Sequence, residues 1–172
     1  MWMNLEKISY LFPIGLIISV FLDGSLTQMF APHFFTNLTS VESRLMLLWL
    51  VMAICYGNVE RIYLWSIVAG IIYDLYYTGI LGVFTLILPL MVYITQEIFK
   101  YFTRSFLVVL LIYLIDITVL TLLDYWANSI LGFTSEPLTM LIGRTLGPTL
   151  AYNLAWFVVL FIPISSFYRE EF

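Results

Sequence analysis

Charge is scarce in this 172-residue chain: Asp, Glu, Lys and Arg together make up 10% of it, against roughly 25% in an ordinary soluble domain. Basic residues are scarcest, with seven Lys and Arg against eleven acids and a formal net charge of −4. They are scattered, and with no basic cluster there is no footprint for nucleic acid. There is one cysteine, Cys55, and one histidine, His33. A lone cysteine cannot close an intrachain disulfide and excludes most cysteine-based metal schemes. A lone histidine leaves almost no material for a Ser/His catalytic set or a buried metal site. No catalytic residue, metal or cofactor is therefore expected. Linkers are lacking too. The longest connections between apolar runs, "APHFFTNLTSVESR" and "ANSILGFTSEPLTMLIGR", are not of low complexity.

What is present is apolar. Hydrophobic types make up 62% of the chain and the mean hydropathy is +1.00. At about 20 residues per span, a chain of this length holds five to seven membrane helices and no separate soluble domain. Residues 1–172 therefore form one integral membrane domain, an all-α polytopic bundle. Six apolar windows cover about 8–30, 44–57, 61–77, 80–99, 105–126 and 146–168. The second and third are short, are joined by "YGNVER", and could instead form one re-entrant pair. The first follows a single lysine, like a signal peptide, but it is long and lacks a small-x-small cleavage site, so it is read as a retained span.

Cytoplasmic loops carry the excess of Lys and Arg. With six spans and an inner N-terminus, Lys7, Arg61, Lys100, Arg104 and Arg169 fall inside, and Arg44 and Arg144 fall outside. Both termini are thus expected in the cytoplasm. Trp2, Tyr10, Tyr63, Tyr76, Tyr77, Tyr101, Tyr125 and Trp126, near window ends, suit interfacial belts.

Two windows hold an acid amid apolar residues. Side chains four apart share a helix face. Around Asp74 that face reads Ser66, Gly70, Asp74, Thr78, and around Asp23 it reads Gly15, Ser19, Asp23, Thr27. Both helices run outward in the six-span arrangement, which puts both acids in the outer half at similar depth. Small residues let another backbone approach closely, so an acid on such a face points at protein. Facing lipid near the bilayer centre it would cost about 2.5–3.5 kcal/mol. Asp116 and Asp124 share a face of the fifth window. Arg44 and Arg144 are the outer cations available to offset these acids, and Asp124 is paired here with Arg144. Together the six residues are expected to form an outer polar network, structural or a ligand or proton path.

The sixth window carries a further small stripe, Gly143, Gly147, Ala151, Ala155, read as a packing groove for an internal helix or a partner's. Pro148 falls where a first helical turn tolerates it. In "YTGILG", Gly79 and Gly82 supply the permissive backbone for a tight turn between packed spans.

The stretch "GIIYDLYYTGILGVFTLILPL" (70–90), with Gly70, Asp74, Leu75, Gly79, Leu81 and Gly82, resembles the MreD family of bacterial rod shape-determining proteins. The layout of "SRLMLLWLVMAICYG" before it is similar to that family's, although "SVESR" stands where many relatives have a proline. The resemblance implies a non-enzymatic scaffold in the bacterial cytoplasmic membrane, part of the elongasome that organises peptidoglycan synthesis. It implies helix–helix contact with MreC, a single-span protein. It also implies links to RodA, a class B penicillin-binding protein and the actin-like MreB filament, with membrane lipid around the bundle. The fold it implies is similar to the substrate-binding subunits of energy-coupling-factor vitamin transporters, and such a subunit is the alternative. Those subunits carry an Ala-x-x-x-Ala signature on the first helix. Here that spacing occurs only at Ala151 and Ala155, in the last. A third reading is an acid dyad of Asp23 and Asp74 in a membrane hydrolase. No nucleophile, metal or phosphate motif accompanies the two acids.

Overall fold

A computed structural model of the protein describes residues 2–57 and 59–170, with side chains from Tyr10 to Tyr168 apart from Asn58. Trp2, Lys7 and Arg169, used above for interfacial position and orientation, lie outside the described side chains. The chain is a helical bundle: α1 Trp2–Met29, α2 Ala31–Phe34, α3 Leu45–Tyr56, α4 Ile62–Tyr73, α5 Val83–Phe99, α6 Phe106–Ile130, α7 Leu138–Met140 and α8 Gly147–Glu170. Helix α4 runs on into a π-helical turn, Asp74–Thr78, and a second π-helical stretch, Leu141–Leu146, joins α7 to α8. Among the described residues there is no strand beyond one bridge between Phe35 and Ser40.

Apolar side chains lie on both the inside and the outside. Along α1, Phe12, Leu16 and Val20 are buried, while Leu11, Ile14, Ile18 and Leu22 are exposed. The same holds for Leu107, Leu111 and Ile115 of α6 and for Val158, Val159 and Ile162 of α8. A soluble monomer rarely exposes apolar patches of that extent. Three helical stretches, Tyr10–Met29, Phe106–Ile130 and Leu138–Tyr168, are long and apolar enough to cross a membrane. Helices α3 and α5 are shorter apolar helices.

Helix α3 is the core. It is twelve residues long, about 18 Å at 1.5 Å per residue. All but two of those residues, Trp49 and Ile54, are buried, because α1, α5, α6 and α8 surround it. A helix covered on every side needs no polar face and no spanning length.

The small-residue faces have definite neighbours. A Cβ on Gly70 would lie 2.6 Å from the Phe84 carbonyl oxygen and from Thr85 Cα, so α4 and α5 meet there backbone to backbone. On Gly15 it would lie 2.2 Å from the Trp49 ring, whose Nε1 donates to the Phe12 carbonyl at 3.1 Å.

Pro148 is the second residue of α8, in its first turn, although α8 follows directly on the second π-helical stretch in a helical run that begins at Leu138. A proline inside a helix leaves the carbonyl four residues back without its usual donor. Here that carbonyl belongs to Arg144, and it accepts from the Ser40 amide at 2.8 Å instead.

Candidate functional site

The polar residues gather where α1, the Asp74 turn and α6 end and where α3, α5 and α8 begin. The reason is backbone. Residues 41–44 are not helical, yet Val41, Ser43 and Arg44 are buried. Asp23, on α1, lies six residues before that helix ends, so α3 starts about 9 Å below the tip of α1. Non-helical backbone at such depth is tolerated only where protein satisfies its polar groups.

Asp23 does this at the head of α3. It is 2% exposed. Its Oδ1 accepts from the Leu45 amide at 2.6 Å and from Ser43 Oγ at 2.7 Å, and its Oδ2 accepts from the Met46 amide at 2.9 Å. Leu45 and Met46 are the first residues of α3, whose own N-cap side chain, Arg44, makes no capping bond. A carboxylate from another helix therefore caps this one, where both the free amides and the helix dipole favour negative charge.

Asp74 repeats the device at the head of α5 and is fully buried. The Phe84 amide donates to Oδ1 at 2.9 Å. The Gly82 and Thr85 amides donate to Oδ2 at 2.8 and 3.1 Å, and Thr85 Oγ1 adds a fourth bond at 2.8 Å. The turn between them has Gly79 at φ +68° and Gly82 at φ +120°, both in the region where a side chain is strained. The acid in the apolar stretch thus has no cation partner because its partner is a helix N-terminus.

Around α3's head stands a second layer. Asn153 of α8, also fully buried, accepts from the Arg44 amide at 2.9 Å and from Tyr113 Oη at 3.2 Å, and its Nδ2 donates to the Glu42 carbonyl at 2.8 Å. Thr149 Oγ1 accepts from the Glu42 amide at 3.1 Å. Tyr113 of α6 also donates to the Arg44 carbonyl at 3.1 Å. The Arg44 guanidinium is buried. It pairs with Glu42, donates to Tyr73 Oη at 3.4 Å and lies 5.5 Å from the Phe84 ring centre. Asp124 is in electrostatic range of Arg44, Glu42 and Asp74.

Of the six residues expected to form a network, the structure brings together Asp23, Asp74, Asp124 and Arg44. Asp116 lies two helical turns along α6 from Asp124, about 12 Å away, fully buried. There Thr95 Oγ1 of α5 donates to its Oδ2 at 2.6 Å, and its Oδ1 has no partner. Arg144 does not ion-pair with Asp124: it pairs with Glu136 at 3.4 Å and donates to the Thr36 carbonyl at 3.4 Å, because α6 ends before the loop that carries Glu136. Among the small residues, Ser66 and Gly70 are buried, whereas Gly143, on the second π-helical stretch, and Gly147, Ala151 and Ala155, on α8, are exposed. Gly143 has no neighbour within 4 Å of a Cβ placed there. Asn153, Tyr113, Glu42 and Thr149 escaped the sequence reading. Thr149 and Asn153 stand four apart, the same signal that marked the aspartates.

An apolar perimeter, spanning helices and buried carboxylates that cap other helices' ends define a helical integral membrane protein. The site holds backbone in place inside the bundle. The family model described as rod shape-determining protein MreD matches residues 9–171. The chain belongs to that family. It is also similar to the protein named "Rod shape-determining protein MreD" of Bacillus subtilis (strain 168), being 22% identical over 165 residues, 94% of each chain. No solved structure is a significant match. The family match leaves the transporter-subunit alternative without support.

Proposed function

We propose that this protein is a non-enzymatic scaffold of the bacterial cell-shape machinery. It crosses the cytoplasmic membrane six times with both termini inside, and it engages a single-span MreC-like partner through α8. RodA, a class B penicillin-binding protein and MreB would join through the same complex. Membership of a rod shape-determining family supports the cell-shape role. The observation that carries the contact is the division of α8 into two faces. Thr149, Asn153 and Phe157 face the core and are fully buried, and the small residues Gly143, Gly147, Ala151 and Ala155 lie open. Within a bilayer, small residues favour close helix–helix approach, and Gly143 has no neighbour within 4 Å of a Cβ placed there.

The test is co-purification from membranes with the single-span partner. Gly147→Leu and Ala151→Leu should each cut recovery of the partner by half or more while the protein inserts at normal levels. Val159→Leu, beside an already bulky exposed position, should not. Undiminished recovery in both Leu variants would reject α8 as the contact. A C-terminal reporter found active only outside the cytoplasm would reject the six-span topology.

A further inference from the structure

Beside the polar cluster lies a cavity of about 190 Å³ whose walls include Glu42, Thr121, Asp124, Asn128, Phe133 and Thr145. Thr121 is the informative residue. In apolar surroundings a helical threonine settles its hydroxyl on the carbonyl four residues back. Thr95 and Thr118 do so, each at 2.8 Å, and Thr27 does at 2.7 Å. Thr121 does not. It is 3% exposed, and its Oγ1 has no partner. A buried hydroxyl without a hydrogen bond is costly, and Thr121 lines a cavity that also holds a carboxylate from its own helix face.

The charges around the cavity are unequal. Glu42 is already paired with Arg44. Among the described residues the Asp124 carboxylate receives only the Asn128 amide nitrogen, at 3.0 Å. Asp23 and Asp74 nearby spend their oxygens on backbone amides, so among the described residues Asp124 is the acid of this cluster left without an ion pair or a backbone amide, which suits a cation. The hydroxyls of Thr121 and Thr145 and the Asp124 carboxylate are acceptors for several N–H donors, and Phe133 offers an aromatic wall, a surface that attracts cations. The cavity lies toward the C-terminal end of α6, a helix long enough to span a bilayer, and it is near the ends of such helices that lipid headgroups lie. A neighbouring cavity, sharing Thr145, is lined by Arg144 and Glu136, which pair with each other.

The geometry points to a site for a primary ammonium group, held by Asp124 and Thr121. Its source is the headgroup of phosphatidylethanolamine or a free amine. The experiment is thermal unfolding of the detergent-purified protein titrated with phosphatidylethanolamine, with phosphatidylcholine, and separately with ethanolamine hydrochloride against equal sodium chloride. Binding to the folded state alone raises Tm. Phosphatidylethanolamine should raise Tm by several degrees and phosphatidylcholine, whose ammonium has no N–H, by less than half as much. Asp124→Asn should remove the difference. Thr121→Val keeps shape and loses only the unpartnered hydroxyl. Its ligand-free Tm should be equal or higher while the selective shift is lost, so the test survives if Asp124→Asn fails to fold. A shift with ethanolamine as well assigns the site to the amine alone, and a shift only with the lipid assigns it to the headgroup. Equal shifts from the two lipids with none selective for ethanolamine over sodium chloride, or a selective shift that persists in Thr121→Val, would overturn the proposal.

Discussion

Asp23 and Asp74 perform one task in two ways. Each is buried on a helix with small residues four and eight positions earlier, and each caps the start of a later helix, α3 for Asp23 and α5 for Asp74. Asp74 works locally. Every group it binds lies between Thr78 and Thr85, across a turn made short by Gly79 and Gly82. Asp23 reaches over a connection more than twenty residues long to Leu45 and Met46. Its end of the bundle also needs Asn153 and Thr149 from α8 and Tyr113 from α6. A short turn can satisfy its own backbone. A long segment entering the bundle leaves polar groups that only distant elements can reach. The first hairpin is therefore held by the whole fold, and the second by itself.

The largest effects should come from deleting the carboxylates. Asp74→Ala strands the buried Phe84 amide and the half-buried Gly82 and Thr85 amides and Thr85 hydroxyl, and at 1–3 kcal/mol per buried unsatisfied group the loss should be about 3 kcal/mol. Asp23→Ala strands two amides and the Ser43 hydroxyl and should cost about as much. Reversible unfolding in mixed micelles measures both. If either variant unfolds within about 1 kcal/mol of the parent, that carboxylate is not the cap described here.

A smaller effect separates the two hairpins. Asn153→Leu removes the acceptor for the Arg44 amide, next in chain to the Leu45 amide held by Asp23. Combined with Asp23→Ala it should be non-additive by about 1 kcal/mol, since the two act on one helix terminus. Combined with Asp74→Ala, with which it shares no bonded partner, it should add to within about 0.5 kcal/mol. Equal coupling in the two cycles would erase the distinction between a local and a distributed cap.

The same distinction explains what could be read from sequence. The stripes Ser66–Gly70–Asp74–Thr78 and Gly15–Ser19–Asp23–Thr27 follow from helical spacing, and two glycines eight residues or fewer beyond Asp74 signal its turn. What Asp23 and Asp74 bind could not be read, because a free backbone amide at a helix start has no letter of its own. Asn153 and Tyr113 were passed over because neither is charged or small, and their importance depends on which segments meet in space. Helix α3 shows the same limit. "LMLLWLVMAICY" is apolar all round, which marks burial, but only packing places it at the centre. The π-helical turns at Asp74–Thr78 and Leu141–Leu146 have no residue-type signature. They reflect tertiary demands, as with the Arg144 carbonyl left for Ser40 by Pro148.

Arg144 supplies the weakest contrast. Its guanidinium reaches Glu136 at 3.4 Å, with the two side chains 35% and 56% exposed, so solvent screens the pair. Arg44 and Glu42 form the corresponding pair around a cation only 2% exposed. Glu136→Gln should change stability by less than about 0.5 kcal/mol, the range of exposed ion pairs. Glu42→Gln should cost several times more, because it leaves a buried guanidinium without its carboxylate. Measured together under one unfolding condition, the two variants ask whether burial or mere proximity sets the value of an ion pair at this end of the bundle. Equal losses would mean that Arg44 draws its stabilisation from Tyr73, Phe84 and the surrounding acids, with Glu42 contributing no more than a surface partner.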